Sequence, residues 1–153
     1  MAGPIAYSFL DIVASISGPG GSFSLSDGGV ADEGITIAMT DDKTTMITGA
    51  GGDGMHSLHA AKSGRVTVRY LKNSPKHRQL QALYNYQTTS SAYTGQNVIS
   101  IANPVWGDDF QCKYGAFVKL PDNVNAKDGN VMEWAFNFIE IDPQLGDGTL
   151  AAV

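Results

Sequence analysis

Cysteine is almost missing from this chain. A single residue, Cys112, in 153 positions excludes an internal disulfide framework and any site built from several thiolates of one chain. Its place on an alternating apolar stretch reads as a buried small hydrophobe, where a thiol is inert. Charge is scarce as well: charged residues make up 16% against 42% hydrophobic, a balance that folds and lies far from the composition of disordered chains. Long apolar runs are lacking, and none approaches the roughly 18 to 20 residues that cross a bilayer. Residues 1–10 offer no basic region ahead of a long apolar stretch, so neither a membrane span nor a signal peptide is readable, and the chain is expected to stay in the cytoplasm where it is made. A basic excess is missing too. The net charge of −5 and pI near 4.9 argue against nucleic-acid binding, which needs clustered Lys and Arg. The length fits one domain over residues 1–153.

What charge there is falls into three blocks. Residues 1–54 carry Asp11, Asp27, Asp32, Glu33, Asp41, Asp42 and Asp53 against Lys43 alone. From Met55 to Gly107 there is no acid, while Lys62, Arg65, Arg69, Lys72, Lys76 and Arg78 lie there. Residues 108–153 turn acidic again, so the blocks sum to −6, +6 and −5. Blocks of this kind either neutralise one another inside one fold or present complementary faces to identical copies, the head-to-tail contact that makes rings or filaments.

Period-2 alternation dominates the hydrophobic pattern. Residues 7–16 put Leu10, Ile12, Ala14 and Ile16 on one face, and Gly18-Pro19-Gly20-Gly21 ends that strand. Residues 35–39 and 44–48 predict two further strands joined through a turn at Asp41-Asp42-Lys43. Residues 65–71 set Val66, Val68 and Tyr70 against Arg65, Thr67 and Arg69. Residues 98–102, 110–120 and 132–141 add three more strands, with Cys112, Tyr114, Ala116 and Val118 sharing one face and Trp134, Phe136 and Phe138 another. One helix stands out after Ser74 as N-cap and Pro75 at the first position, with Leu80, Leu83, Tyr84 and Gln87 on one side. Many strands with glycine-rich turns and one helix predict a mainly β (α+β) fold, a β-sandwich or partial barrel with a flanking helix and a long glycine-rich loop.

No catalytic constellation is readable. Gly49-Ala50-Gly51-Gly52-Asp53-Gly54 has the G-x-G-x-x-G spacing, but a dinucleotide site needs a helix behind it and an acid about 20 residues on, and no acid follows before Asp108. It reads as a glycine loop between strands. His56 and His59 beside Asp53 have metal-binding chemistry, yet their spacing puts the rings on opposite faces of a strand. The acidic turns Asp41-Asp42, Asp108-Asp109 and Asp147 lack the ligand spacing of a calcium loop. No serine sits in a nucleophile elbow, and no cofactor or metal is implied. A small-ligand β-sandwich is the rival reading, with Trp106, Trp134 and Tyr93 as an aromatic platform.

The stretch Met55-His56-Ser57-Leu58, then Lys62-Ser63-Gly64-Arg65-Val66-Thr67-Val68-Arg69-Tyr70-Leu71-Lys72-Asn73-Ser74-Pro75 with Leu80 and Leu83 behind it, resembles the central segment of phage tail tube proteins. The later Cys112-Lys113-Tyr114-Gly115-Ala116-Phe117-Val118-Lys119-Leu120-Pro121-Asp122 and Glu133-Trp134-Ala135-Phe136 resemble that family's closing strand pair. The resemblance implies a structural, non-enzymatic subunit of the tail of a contractile virion. Its hexameric rings would join their inner sheets into one continuous barrel and stack into the conduit for genome delivery. Implied partners are other copies, the sheath, the tape measure, baseplate and terminator proteins, with DNA passing through the lumen without specific binding. A bacteriocin or secretion tube is the alternative setting. Within this picture the loop from Asp41 to Gly54, with Asp41, Asp42, Lys43, Gly51, Gly52 and Asp53, is expected to order against a neighbouring ring. Arg65, Arg69, Lys72 and Lys76 are the expected partners of acids on an adjacent subunit.

Overall fold

A computed structural model describes residues 6–27 and 30–146, with the backbone alone for 31–33; Asp147, one of the acidic turn residues, lies outside them. A 3-10 turn, Phe9–Asp11, precedes β1 Val13–Gly18, β2 Gly21–Ser24, β3 Val30–Met39, β4 Thr44–Thr48, β5 Gly54–Leu58, β6 Gly64–Leu71, helix α1 Lys76–Gln87, β7 Asn97–Asn103, β8 Asp108–Phe117 and β9 Val131–Gln144. Seven strands form one sheet in the order β2-β1-β7-β8-β9-β6-β3, and β4 and β5 pair only with each other. Every strand pairing is antiparallel.

One face of the sheet is the core. β6 and β9 are in register through Val66↔Phe136 and Val68↔Trp134, and all four side chains are buried, as are Tyr70 and Phe138. Helix α1 closes this face through Leu80, Leu83 and Gln87, with the Tyr84 ring meeting Phe117 edge to face at 5.5 Å. The Ser74 hydroxyl accepts from Lys76 N at 3.2 Å, so the expected cap is present one residue further out. The predicted mainly β fold with one helix is what forms, as one curled sheet. Its far ends approach each other: the Tyr70 hydroxyl, on the strand next to one edge, donates 2.5 Å to the Leu25 carbonyl just past β2 at the other. Burial, reinforced by the charge of Asp27, raises the Tyr70 hydroxyl well above its usual range. The barrel is not closed within one chain, because β2 and β3 remain edges.

Two local expectations need correction. The first strand begins at Val13, not at residue 7, because the Ser8 hydroxyl accepts from Leu10 N at 3.2 Å and winds residues 9–11 into a turn. Leu10 is consequently 93% exposed. In β8 the alternation breaks at Tyr114, which takes left-handed backbone at φ 58° and turns its ring outward, 52% exposed. An irregularity in β7–β8 pairing between Asn97 and Ile99 lies opposite this break. Beyond it Gly115 faces the core in place of Tyr114; a Cβ there would sit 2.2 Å from the Phe138 ring.

Candidate assembly surfaces

The β4–β5 hairpin is an arm without a floor. Its register, Thr44↔Leu58, Met46↔His56 and Ile47↔Met55, places Met46 and Leu58 on one face and Ile47 and Met55 on the other. These four are 58–77% exposed, so neither face is covered by the other described residues. At the tip, Gly49 N donates to Asp53 O at 2.6 Å and Gly52 takes φ 89°, a conformation that glycine allows without a Cβ penalty. At the root, His59 N donates to Lys43 O at 2.9 Å, and the Lys43 ammonium reaches Ala61 O at 3.4 Å. A two-stranded ribbon alone in water is marginal, and apolar side chains on both of its faces favour a partner on each.

Within the expected glycine-rich loop, the predicted strand at 44–48 forms and pairs with a second strand at 54–58. Asp41, Asp42 and Lys43 are the turn into the arm, while Gly51, Gly52 and Asp53 form its tip. The second strand went unread because Gly54-Met55-His56-Ser57-Leu58 lacks the β-branched residues that mark strands. It also places a strand, not a helix, behind the glycines, which removes the context of a dinucleotide loop.

The basic segment is largely engaged within its own subunit. On the outward face of the sheet, Arg69 Nε donates to Glu133 Oε1 at 2.9 Å and Nη1 to Thr36 Oγ1 at 2.7 Å, a polar row across β3, β6 and β9. Beside it Arg65 Nε donates to Asn137 Oδ1 at 3.2 Å. Lys72 places its ammonium among Asn123 Oδ1 at 3.0 Å, Asn125 Oδ1 at 2.9 Å and the Val124 carbonyl, three acceptors for three donors, and so holds the 118–130 loop. Lys76 is 8% exposed; it pairs with Asp27 Oδ1 at 2.9 Å and lies over the Phe23 ring, an internal position that sets it apart from Arg65 and Arg69. Lys62 and Lys113 flank Asp142 at 3.9 and 3.8 Å. Much of the block charge pattern is thus neutralised inside the fold.

The rival platform does not assemble. Trp134 is in the core, Trp106 meets Tyr7 edge to face at 6.4 Å, and Tyr93 stacks on Tyr86 at 5.0 Å. Among the described residues no group of three or more His, Cys, Asp or Glu is placed to hold a metal ion, and His59 Nε2 instead lies 3.3 Å from Thr45 Oγ1. Cys112 is buried, and burial with the nearby Asp142 charge pushes its thiol up to about 11, which keeps it protonated and unreactive at neutral pH.

A family model described as Bacteriophage PhiTE tail tube protein matches residues 5–146. Comparison with curated proteins gave no match. Among solved structures, a chain of the PVC sheath-tube complex of an extracellular contractile injection system, in its extended state, is similar with a TM-score of 0.54 at 13% identity, over 88% of each chain. The tube-terminating cap of the anti-feeding prophage gives 0.55 at 10% identity over 95% of each chain, and its baseplate structure gives 0.52 at 10% over 94% of each. At such identities the likeness speaks for the fold, whereas the family match spans nearly the whole sequence. With a one-helix antiparallel sheet, an uncovered arm and open sheet edges, the chain belongs to the PhiTE-type phage tail tube family, as a structural subunit.

Proposed function

We propose that the subunit assembles as hexameric rings whose sheets join edge to edge into a continuous barrel, and that the rings stack into the inner tube through which the genome leaves. The observation that carries this reading is the β4–β5 arm, which exposes apolar side chains on both faces and has no covering element among the described residues. The open edges at β2 and β3 support it, because unpaired strand edges are aggregation hazards in a monomer and pairing surfaces in a ring. The sheath lies outside this tube and the tape measure protein inside it during assembly in the host cytoplasm, with baseplate and terminator proteins at its two ends. DNA passes without specific binding, in keeping with the acidic total of −5. The chemistry is mechanical, and no enzymatic step is assigned.

Arg65 and Arg69 on the outward face, with Asp41 and Asp42 at the arm's root, set register between subunits more than strength, since exposed ion pairs are worth only about 0 to 1 kcal/mol each. Negative-stain microscopy of the concentrated protein tests the whole reading, with hollow rings or tubes expected. Deleting the arm between Thr44 and Leu58 is expected to leave a folded subunit that grows no tubes. A strict monomer at every concentration and in the presence of preformed tube ends, or normal tubes from the deletion, would sink it.

A further inference from the structure

Building on the reading of the chain as a tube subunit, we infer that the arm of one copy seats on a corner of the next copy's sheet, at the root of that copy's own arm, with Tyr114 and Ile139 as the seat's anchors. β8 and β9 stay in register through Lys113↔Glu140 and Gly115↔Phe138. Phe138 and Ile141 are nevertheless both buried, so the chain makes a step at residues 139 and 140, opposite the left-handed Tyr114. Alternation already turns Ile139 outward, 70% exposed, and the left-handed backbone turns Tyr114 out opposite it, 52% exposed. Ile139 lines two adjoining hollows of about 530 and 420 Å³. Met39 and Thr40 belong to the first; Ala60, Ala61 and Tyr114 belong to the second.

Left-handed backbone at an aromatic residue disfavours folding, and its result here is an exposed ring. Strain retained in this way points to a role for the ring outside the subunit's own core. The corner is also where the arm departs, since Thr40 leads into it and Ala60 and Ala61 lead out.

Three observations select a second copy's arm as the occupant. The arm needs apolar cover that the described residues of its own subunit do not supply, and the corner is a largely apolar surface of stepped shape that can receive Ile47 and Met55. The charges are of opposite sign: residues 41–58 carry Asp41, Asp42 and Asp53 against Lys43, while the two hollows are lined by Lys62 and Arg65 against Glu140, with Lys62 shared with Asp142. The contact is also heterologous, because the acceptor's own arm leaves from beside the seat and stays available for a third copy, so the interaction can repeat from copy to copy. Other exposed apolar groups fit less well. Leu10 and Leu145 border chain ends beyond the described residues, and the Val118–Val131 strip is bridged by the loop that Lys72 holds.

Two single variants, Ile47→Cys and Ile139→Cys, test the pairing when both are doped as minority chains into tubes of the unaltered protein and mildly oxidised. Both positions are exposed, and the unaltered chains carry the assembly. A disulfide dimer containing one chain of each variant, identified by mass spectrometry, is the expected product. Tubes of normal shape that incorporate both variants but yield no mixed dimer would overturn the seat while leaving the tube reading intact. Failure of the unaltered chain to form rings or tubes would remove the parent reading instead. As a second readout, Ile139→Asp is expected to abolish tube growth at protein concentrations where the unaltered chain polymerises, with the subunit's thermal transition retained; unimpaired growth would count against the seat.

Discussion

The side-chain amides of Gln87 and Asn97 exchange two hydrogen bonds, Gln87 Nε2 to Asn97 Oδ1 at 2.6 Å and Asn97 Nδ2 to Gln87 Oε1 at 2.7 Å, between the last residue of α1 and the first of β7. Both residues are buried, and Gln87 also donates to Pro19 O at 3.1 Å in the β1–β2 turn. The pair therefore ties the helix to two places in the sheet. Asn97→Ala leaves Gln87 with an unpaired acceptor in the interior, and a loss of about 2 kcal/mol is expected. Urea unfolding of the subunit measures it; a change below about 0.5 kcal/mol would show that the pair does not hold the helix.

Tyr114 carries the opposite expectation. Left-handed backbone costs an ordinary side chain roughly 1 to 2 kcal/mol, and asparagine tolerates it better. Tyr114→Asn should therefore raise the isolated subunit's stability by about 1 kcal/mol while weakening tube growth. A variant that loses both stability and growth would mean that the ring contributes to its own fold.

Alkaline pH should destabilise the subunit through Cys112. Its thiol is raised from 9.0 to about 11 by burial and the Asp142 charge, so above pH 9 the unfolded chain sheds a proton that the folded chain keeps. The unfolded state then binds fewer protons, and stability present below pH 9 declines as pH rises toward 11, by an amount on the order of 2 kcal/mol. Cys112→Ala should flatten this part of the profile. Denaturant midpoints between pH 8 and pH 11 provide the test, and an unchanged slope in the variant would assign the loss to other groups.

Lys72 predicts a local effect. Truncating it to alanine removes the one ammonium shared by Asn123, Val124 and Asn125. Faster proteolytic cleavage within residues 119–130 is expected, with the global unfolding midpoint nearly unchanged. Equal cleavage rates would mean that the loop is held by other contacts.

How much of this was legible from sequence depended on how local the cause was. The strand over residues 65–71 and the apolar stripe of Trp134, Phe136 and Phe138 follow a strict period of two, and both appear in the structure with the expected inward faces. The helix was readable from Ser74-Pro75 and from Leu80 and Leu83 for the same reason. Tyr114 was misassigned because alternation assumes regular backbone, and nothing in its own identity announces a left-handed residue. The signal was its neighbour: Gly115 faces Phe138 with no side chain, where a Cβ would collide with the ring. Lys76 looked like surface charge, but its partner Asp27 and the Phe23 ring are about 50 positions earlier, a distance at which pattern reasoning has no purchase. Of the arm, the first strand and the glycine tip were readable, while the pairing of 44–48 with 54–58 needed the weak second strand to be recognised.

The exposure of the arm's apolar side chains on both faces has a kinetic consequence. Two free subunits that meet must both order a marginal ribbon before either gains contact area, whereas a subunit reaching an existing end finds a seat already shaped. Initiation is therefore expected to be far slower than elongation, giving a lag that short tube fragments abolish in a light-scattering time course. Control over when a tail begins would then rest with whatever surface first presents a finished ring, and the subunit could accumulate in solution without committing to polymer.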